Sequence, residues 1–178
     1  SLIDFGVREE IQKQYILASN KMIEYQLAYD ERRLEKLPEL TLQDRAEIRK
    51  NPLDWVEDKI KSIASEFEDH ITDYVSDVVG PSNPIQIAVR SKARGKALNI
   101  QQMSSAYGQV AYGGKRPIFG INHDRVLAHY PINGYSKNHP RNKGFIDNCY
   151  GTGMEPDQFW LASAAGRRSI AESSQGAI

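Results

Sequence analysis

Long apolar runs, cysteines and, in its second half, carboxylates are what this sequence has little of. Nothing approaches the ~20 consecutive apolar residues needed to cross a bilayer, which excludes a membrane-spanning helix. No basic-then-apolar leader opens the chain, so secretion is unsupported. Cys149 is the lone cysteine, which rules out an internal disulfide and any multi-cysteine zinc site and fits a reducing compartment. The chain starts at Ser1 rather than methionine, which points to a processed or excised piece.

The scarcity of carboxylates is local. Residues 1–80 carry 11 Lys+Arg against 18 Asp+Glu, a balance of −7, whereas residues 81–178 carry 12 against 5, a balance of +7. Over all 178 residues the net charge is zero. So uneven a split predicts an acidic, solvated first half and a second half that faces something anionic, with nucleic acid the commonest such partner. At 40% hydrophobic residues and a mean hydropathy of −0.56, the chain suits one ordinary domain or two small ones.

Periodicity organises the first half. Val7, Ile11, Tyr15, Ala18, Met22, Tyr25 and Tyr29 recur at steps of four and three, which places them on one helical face. Pro38 breaks that run. Thr41 and Asp44 have the spacing of a capping box, and Asn51-Pro52 reads as an N-cap followed by proline at the first helical position. A second stripe follows through Val56, Ile60, Ile63, Phe67, Ile71, Tyr74 and Val78, and Gly80-Pro81 ends it. Two such stripes predict an antiparallel, coiled-coil-like helical hairpin.

Beyond the hairpin the pattern weakens. Pro84 to Val89 reads as a short strand or an extended segment. Ala97 to Gln109 reads as one helix with Leu98, Met103 and Tyr107 as its apolar positions. Gly113 to Pro140 reads as a turn-rich crossing, and Glu155-Pro156 as the start of a last helix continuing through Phe159, Leu161, Ala162, Ala165 and Ile170. The expected fold class is therefore mainly α: an antiparallel helical hairpin, an irregular turn-rich segment and a C-terminal helix, without an autonomous catalytic fold. Its expected divisions are 1–80, 81–143 and 144–178.

Two local patterns invite a chemical reading. Gly113-Gly114-Lys115 lacks the earlier glycine and the following Ser/Thr of a phosphate loop, and is rejected as one. His123, His129 and His139, with Asp124 nearby, lie within 17 residues and raise the alternative of a histidine-centred metal nuclease. No paired cysteines or helical His-x-x-x-His support that alternative. A helical-hairpin adaptor whose basic tail binds nucleic acid is the other alternative.

The stretch from Ser91 to Met103 is the sharpest signature: a basic loop with a permissive glycine, then a polar helix. With Gly108-Gln109, Gly114 to Ile118, Arg125 to Tyr130, Gly144 to Tyr150, Gly153 to Pro156, Phe159 and Ala164 to Ile170, it resembles the largest subunit of multi-subunit DNA-directed RNA polymerases. That family comprises the bacterial β′ chain and its archaeal and eukaryotic counterparts. In the loop and helix, Ala93, Arg94, Gly95, Asn99, Ile100, Gln102 and Met103 fall in register, whereas Lys92 replaces a family glycine and Lys96 a usual serine. Later, Ser169 replaces a glycine and Glu172 takes a position normally held by Asp.

What the resemblance implies is a place beside an active centre rather than the chemistry itself. Residues 1–80 would be the funnel and rim-helix hairpin, and 81–143 the F-loop, with Arg94, Gly95, Asn99 and Gln102, and an extended cleft segment. Residues 144–178 would be the first half of the bridge helix, with Gly166, Arg167, Arg168, Glu172, Ala177 and Ile178 towards the template. Implied partners are the other polymerase subunits or remaining β′-like fragments, the DNA template and RNA–DNA hybrid, and nucleoside triphosphates arriving by the secondary channel. The family's N-A-D-F-D-G-D signature is missing, so magnesium is expected in the assembled enzyme and not on this chain, which alone should be inactive. No membrane partner is implied, and the expected location is cytoplasm or nucleoid. A chain ending inside a helix suits a fragment or a naturally split subunit, such as a divergent phage or viral one acting in the host cytoplasm.

Overall fold

The computed structural model describes residues 5–38, 40–117, 127–130 and 135–176. Ser1, Ile118, His123, Asp124, Arg125, Val126, Ala177 and Ile178 lie outside the described residues. The rest is mainly α. Helices α1 (Phe5–Asp30), α2 (Leu42–Lys50) and α3 (Pro52–Val79) form the first half. Helix α4 (Pro84–Arg90), α5 (Ala97–Ser104) and strand β1 (Gly108–Gln109) follow. Two 3-10 turns (Tyr135–Asn138 and Pro140–Lys143), strand β2 (Phe145–Ile146) and helix α6 (Pro156–Gln175) complete it.

The hairpin is antiparallel, as its rings show. Tyr25, late in α1, meets Trp55 at the start of α3 (5.8 Å between centroids), while Tyr15, earlier in α1, meets Phe67 further along α3 (6.1 Å). Both connecting caps form as their spacing predicts. Asp44 N–H donates to Thr41 Oγ1 at 3.1 Å and Thr41 N–H to Asp44 Oδ2 at 3.0 Å, closing the capping box. Asp44 also accepts from Trp55 Nε1 at 3.0 Å, which ties α2 to the start of α3. With those hydrogen bonds, that of Thr41 foremost, the Asp44 carboxyl is held well below its usual range.

The seam corrects the expected α3 stripe at one end. Val56, Ile60, Phe67 and Ile71 are buried as expected, but Val75 follows them into the core, while Tyr74 is only half-buried and Val78 is 42% exposed. At 100° per residue Tyr74 lies about 60° to one side of Ile71 and Val75 about 40° to the other, so the seam takes Val75 in place of Tyr74.

Three further corrections concern the second half. Residues 84–89 form α4 rather than a strand: Asn83 Oδ1 accepts from Ile85 N–H at 2.9 Å and Pro84 occupies the first helical turn. The helix from Ala97 ends at Ser104 rather than running to Gln109. Gly108 has φ +86°, outside the helical region, and β1 pairs antiparallel with β2, Gly108 opposite Ile146. Leu98 and Met103 are exposed, and the buried side of α5 is Ile100, Gln101 and Ser104.

The core does not stop at Gly80. Ile100, Ala106 and Phe145 belong to the same apolar cluster as the α1–α3 seam. A second cluster of Val110, Tyr130, Ile146, Leu161 and Ala162 lies on the far side of the β1–β2 pair and seats the start of α6. Two adjacent β2 residues therefore serve the two cores, Phe145 pointing into one and Ile146 into the other, as strand alternation requires. Among the described residues no helix is long and apolar enough to cross a membrane.

Candidate functional site at the α5–α6 junction

Helix α3 carries a polar row beside its apolar seam. Glu68, Thr72 and Ser76 are spaced by four, so they align along one side of the helix. Each holds a different later segment. Glu68 Oε1 accepts from the Gln109 N–H at 2.8 Å, Thr72 Oγ1 donates to Gln101 Oε1 at 2.6 Å, and Gln86 Nε2 donates to Ser76 Oγ at 2.6 Å. The hairpin thereby fixes α4, α5 and β1 in register. Burial pushes the Glu68 carboxyl up, only partly offset by the Gln109 amide.

From that base the chain builds towards α6 through backbone hydrogen bonds. The last carbonyls of α5, which lack intrahelical partners, are taken by the loop before α6. Tyr150 N–H donates to Gln102 O at 3.1 Å and Gly151 N–H to Met103 O at 2.8 Å. Gly151 is there because nothing larger fits: a Cβ would lie 2.6 Å from Met103 O, a backbone atom that cannot swing away. Gly151→Ala is expected to destabilise the chain by about 1–3 kcal/mol, as overpacked sites do, readable as a lower urea midpoint.

The first turns of α6 are clamped from three sides. Gln158, fully buried, accepts from Asn148 Nδ2 at 2.8 Å and donates to Asp147 Oδ1 at 2.9 Å. Asp157 accepts from Tyr130 OH at 2.8 Å and pairs with Arg141 at 3.1 Å, and Arg141 also pairs with Glu155. Tyr112 OH donates to Leu161 O at 3.0 Å. Burial alone would raise the Asp157 carboxyl, but the hydrogen bonds from Tyr130 and Arg141 outweigh it and hold it below its usual range.

Beyond that clamp α6 leaves the core, although Arg168 and Glu172 still lie beside Gly113, where an added Cβ would be 3.5 Å from Arg168 Nη2. Every residue from Gly166 to Gly176 is exposed, and on the clamped part Phe159 and Trp160 (66% exposed) already face outward. Ile170, expected to continue the apolar face, is 71% exposed. Gly166, Arg167, Arg168 and Glu172 all lie on this free stretch. Arg168 Nε donates to Glu172 Oε1 at 2.6 Å, while the Arg167 side chain makes no hydrogen bond or ion pair among the described residues.

The expected loop residues are placed less uniformly. Arg94 is exposed, with its side chain unpaired among the described residues, and its N–H donates to Ala88 O at 3.2 Å. Gly95 has φ +81° and Lys92, in place of the family glycine, holds φ +57°. The unusual residue thus keeps the left-handed backbone that a glycine would have eased. Asn99 Oδ1 accepts from Lys96 N–H at 2.7 Å and so closes the start of α5. Gln102 contributes its carbonyl to Tyr150. Arg94 and Arg167 are not brought into hydrogen-bonding contact by the fold.

Sequence reasoning missed Gln101, Gln158 and Arg116. The first two are wholly buried glutamines, Gln101 set between the apolar positions of α5 and Gln158 in the first turn of α6. The histidines are structural where they are described. His139 Nδ1 accepts from Arg141 N–H at 3.3 Å at the start of a 3-10 turn, and His129 packs on Tyr130 with ring centroids 4.7 Å apart. Burial, then the neighbouring Arg141, pushes the His139 imidazole down. Among the described residues no three His, Cys, Asp or Glu side chains converge to hold a metal.

The sequence matches RNA polymerase Rpb1, domain 4, over residues 27–146. It is 31% identical over 153 residues to the DNA-directed RNA polymerase subunit Rpo1N of Thermococcus celer, covering 86% of this chain and 15% of that protein. It is 28% identical over 165 residues to the Rpo1N subunit of Halobacterium salinarum, covering 93% and 16%. Against the DNA-directed RNA polymerase III subunit rpc1 of Schizosaccharomyces pombe it is 32% identical over 117 residues, covering 66% and 8%. The chain therefore spans about 15% of the length of the archaeal relatives it matches.

Proposed function

The chain belongs to the RNA polymerase Rpb1 domain 4 family, and from that membership we propose that it works as one part of the largest subunit of a multi-subunit DNA-directed RNA polymerase. In this reading α1–α3 form the rim of the channel that admits nucleoside triphosphates. The loop of residues 91–96 with α5 braces the active centre, and α6 is the first half of the helix that crosses beside the template. The observation that carries it is α6 itself: firmly clamped through Leu161 and then exposed from Gly166 onward, with the Arg167 side chain unpaired among the described residues. A helix stretch with no buried face is either solvated or covered by a partner, and membership of a multi-subunit polymerase family favours a partner.

Arg94, Arg167 and Arg168 are the proposed contacts to phosphate, which would position template strand or hybrid without reading sequence. Magnesium would be held by the rest of the enzyme, since the described residues supply no converging carboxylates. Alone, the chain would have no nucleotidyl-transfer activity, and its partners would be the other polymerase subunits, in cytoplasm or nucleoid.

Co-purification from the source organism tests this directly. Large polymerase-like subunits should accompany the tagged chain, together with template-dependent RNA synthesis. A stable monomer that binds nucleic acid unaided would favour the adaptor instead, and metal-dependent cleavage the nuclease. A finer test uses Gly166. A Cβ there meets nothing within 4 Å, so Gly166→Ala should leave the isolated chain intact or up to about 1 kcal/mol more stable. In the assembled polymerase the same change should slow elongation, because the bare face would be occupied there.

A further inference from the structure

We propose that Gln101 is a positioning residue that transmits the state of the hairpin to α6, an inference that rests on the polymerase reading of α6. The Gln101 side chain is 0% exposed and hydrogen-bonded through both its oxygen and its nitrogen. Oε1 receives the Thr72 hydroxyl of α3 at 2.6 Å, and Nε2 donates to Ala106 O at 3.3 Å. Among the described residues, the Thr72 link is the one side-chain hydrogen bond between α3 and α5.

The path continues without a gap. One residue beyond Ala106, Tyr107 N–H donates to Asn148 O at 2.9 Å, and Asn148 Nδ2 donates to Gln158 Oε1 at 2.8 Å, on the first turn of α6. In parallel, the two residues after Gln101 offer their carbonyls to Tyr150 and Gly151. A shift or rotation of α3 at Thr72 therefore moves Gln101, and moving Gln101 tilts both the α5 carbonyls and the Ala106–Tyr107 segment that locates Asn148. Buried polar chains of this kind hold one geometry because every alternative strands a donor or acceptor. Since α6 is exposed beyond its clamp, a small tilt at its root becomes a larger displacement at Arg167.

The test has two readouts. In the isolated chain, Gln101→Met and Thr72→Val should each speed amide exchange at Tyr150 and Gly151 by about tenfold, while Thr72→Ser, which restores the hydroxyl, should not. In the assembled polymerase, both variants should lower the maximal rate of nucleotide addition by about threefold to tenfold with KM for nucleotide within about twofold of normal. The double variant should be no worse than either single one. Unchanged exchange at Tyr150 and Gly151 overturns the coupling whatever the enzyme does. Faster exchange with an unaltered rate per assembled enzyme reduces Gln101 to a structural residue and overturns the positioning role. Loss of RNA synthesis already in the unmodified complex would instead defeat the polymerase reading, leaving the exchange result to stand alone as coupling within the chain.

Discussion

Phe145→Ala should cost the chain about 3–5 kcal/mol and loosen the second half from the hairpin before the hairpin itself melts. Phe145 is completely buried between the two long helices. Its ring stacks on Tyr15 of α1 at 4.7 Å and meets Phe67 of α3 edge-on at 5.2 Å. Its carbonyl accepts from Tyr15 OH at 2.9 Å, and burial of that phenol pushes its pKa up. Alanine would empty the centre of a three-ring cluster and leave the carbonyl acceptor of the Tyr15 hydroxyl on a displaced strand. Urea unfolding followed by tyrosine and tryptophan fluorescence should show a lowered midpoint. Hydrogen exchange should show β1, β2 and α6 opening ahead of α1 and α3. A single cooperative loss with all segments opening together would mean that the two cores are one folding unit.

The reach of that single ring explains how unevenly the fold could be read from sequence. The α1 and α3 helices, the Thr41–Asp44 capping box, the Asn51-Pro52 start and the Glu155-Pro156 start are all carried by residues within one or two turns of each other. Local signals of that kind survive tertiary context. Asn83-Pro84 is the same signal as Asn51-Pro52, yet the β-branched run that follows it reads as strand, and the cap decides for helix. The polar row on α3 could not be read at all. Glu68, Thr72 and Ser76 look like the solvated side of an amphipathic helix until their partners are known, and those lie 41, 29 and 10 residues away. The glycines divide similarly. Gly151 is required by a backbone atom of α5, whereas Gly166, equally prominent in the resemblance, has open space around it. Among the described residues nothing requires a glycine there.

Arg116→Met should be the most pH-dependent of the changes. The Arg116 side chain is nearly buried and makes a bidentate pair with Glu57 of α3, 2.6 Å and 2.7 Å, with Gln26 of α1 accepting at 3.4 Å. It thus pins the chain after the Tyr112–Lys115 turn to both helices of the hairpin. Burial alone would raise the Glu57 carboxyl, but the hydrogen bonds and charge of Arg116 more than offset it, so Glu57 sits below its usual value. In the native chain a depressed carboxylate gives stability that is present above the unfolded pKa and lost as pH falls through the folded one. Removing the guanidinium leaves burial opposed only by the weaker pull of Lys143, and the sign is expected to reverse, Glu57 then titrating above its unfolded value. The cost should therefore be largest near neutral pH, about 3–5 kcal/mol as for other broken buried pairs, and should shrink as the medium is acidified through the raised Glu57 pKa. Glu57→Gln added to Arg116→Met should recover much of the loss at pH 7 and abolish its pH dependence, because no buried charge then remains. Stability measured between pH 4 and 8 for the two variants would decide it. A penalty for Arg116→Met that stays constant across that range would show that the arginine acts by packing its stem rather than by neutralising Glu57.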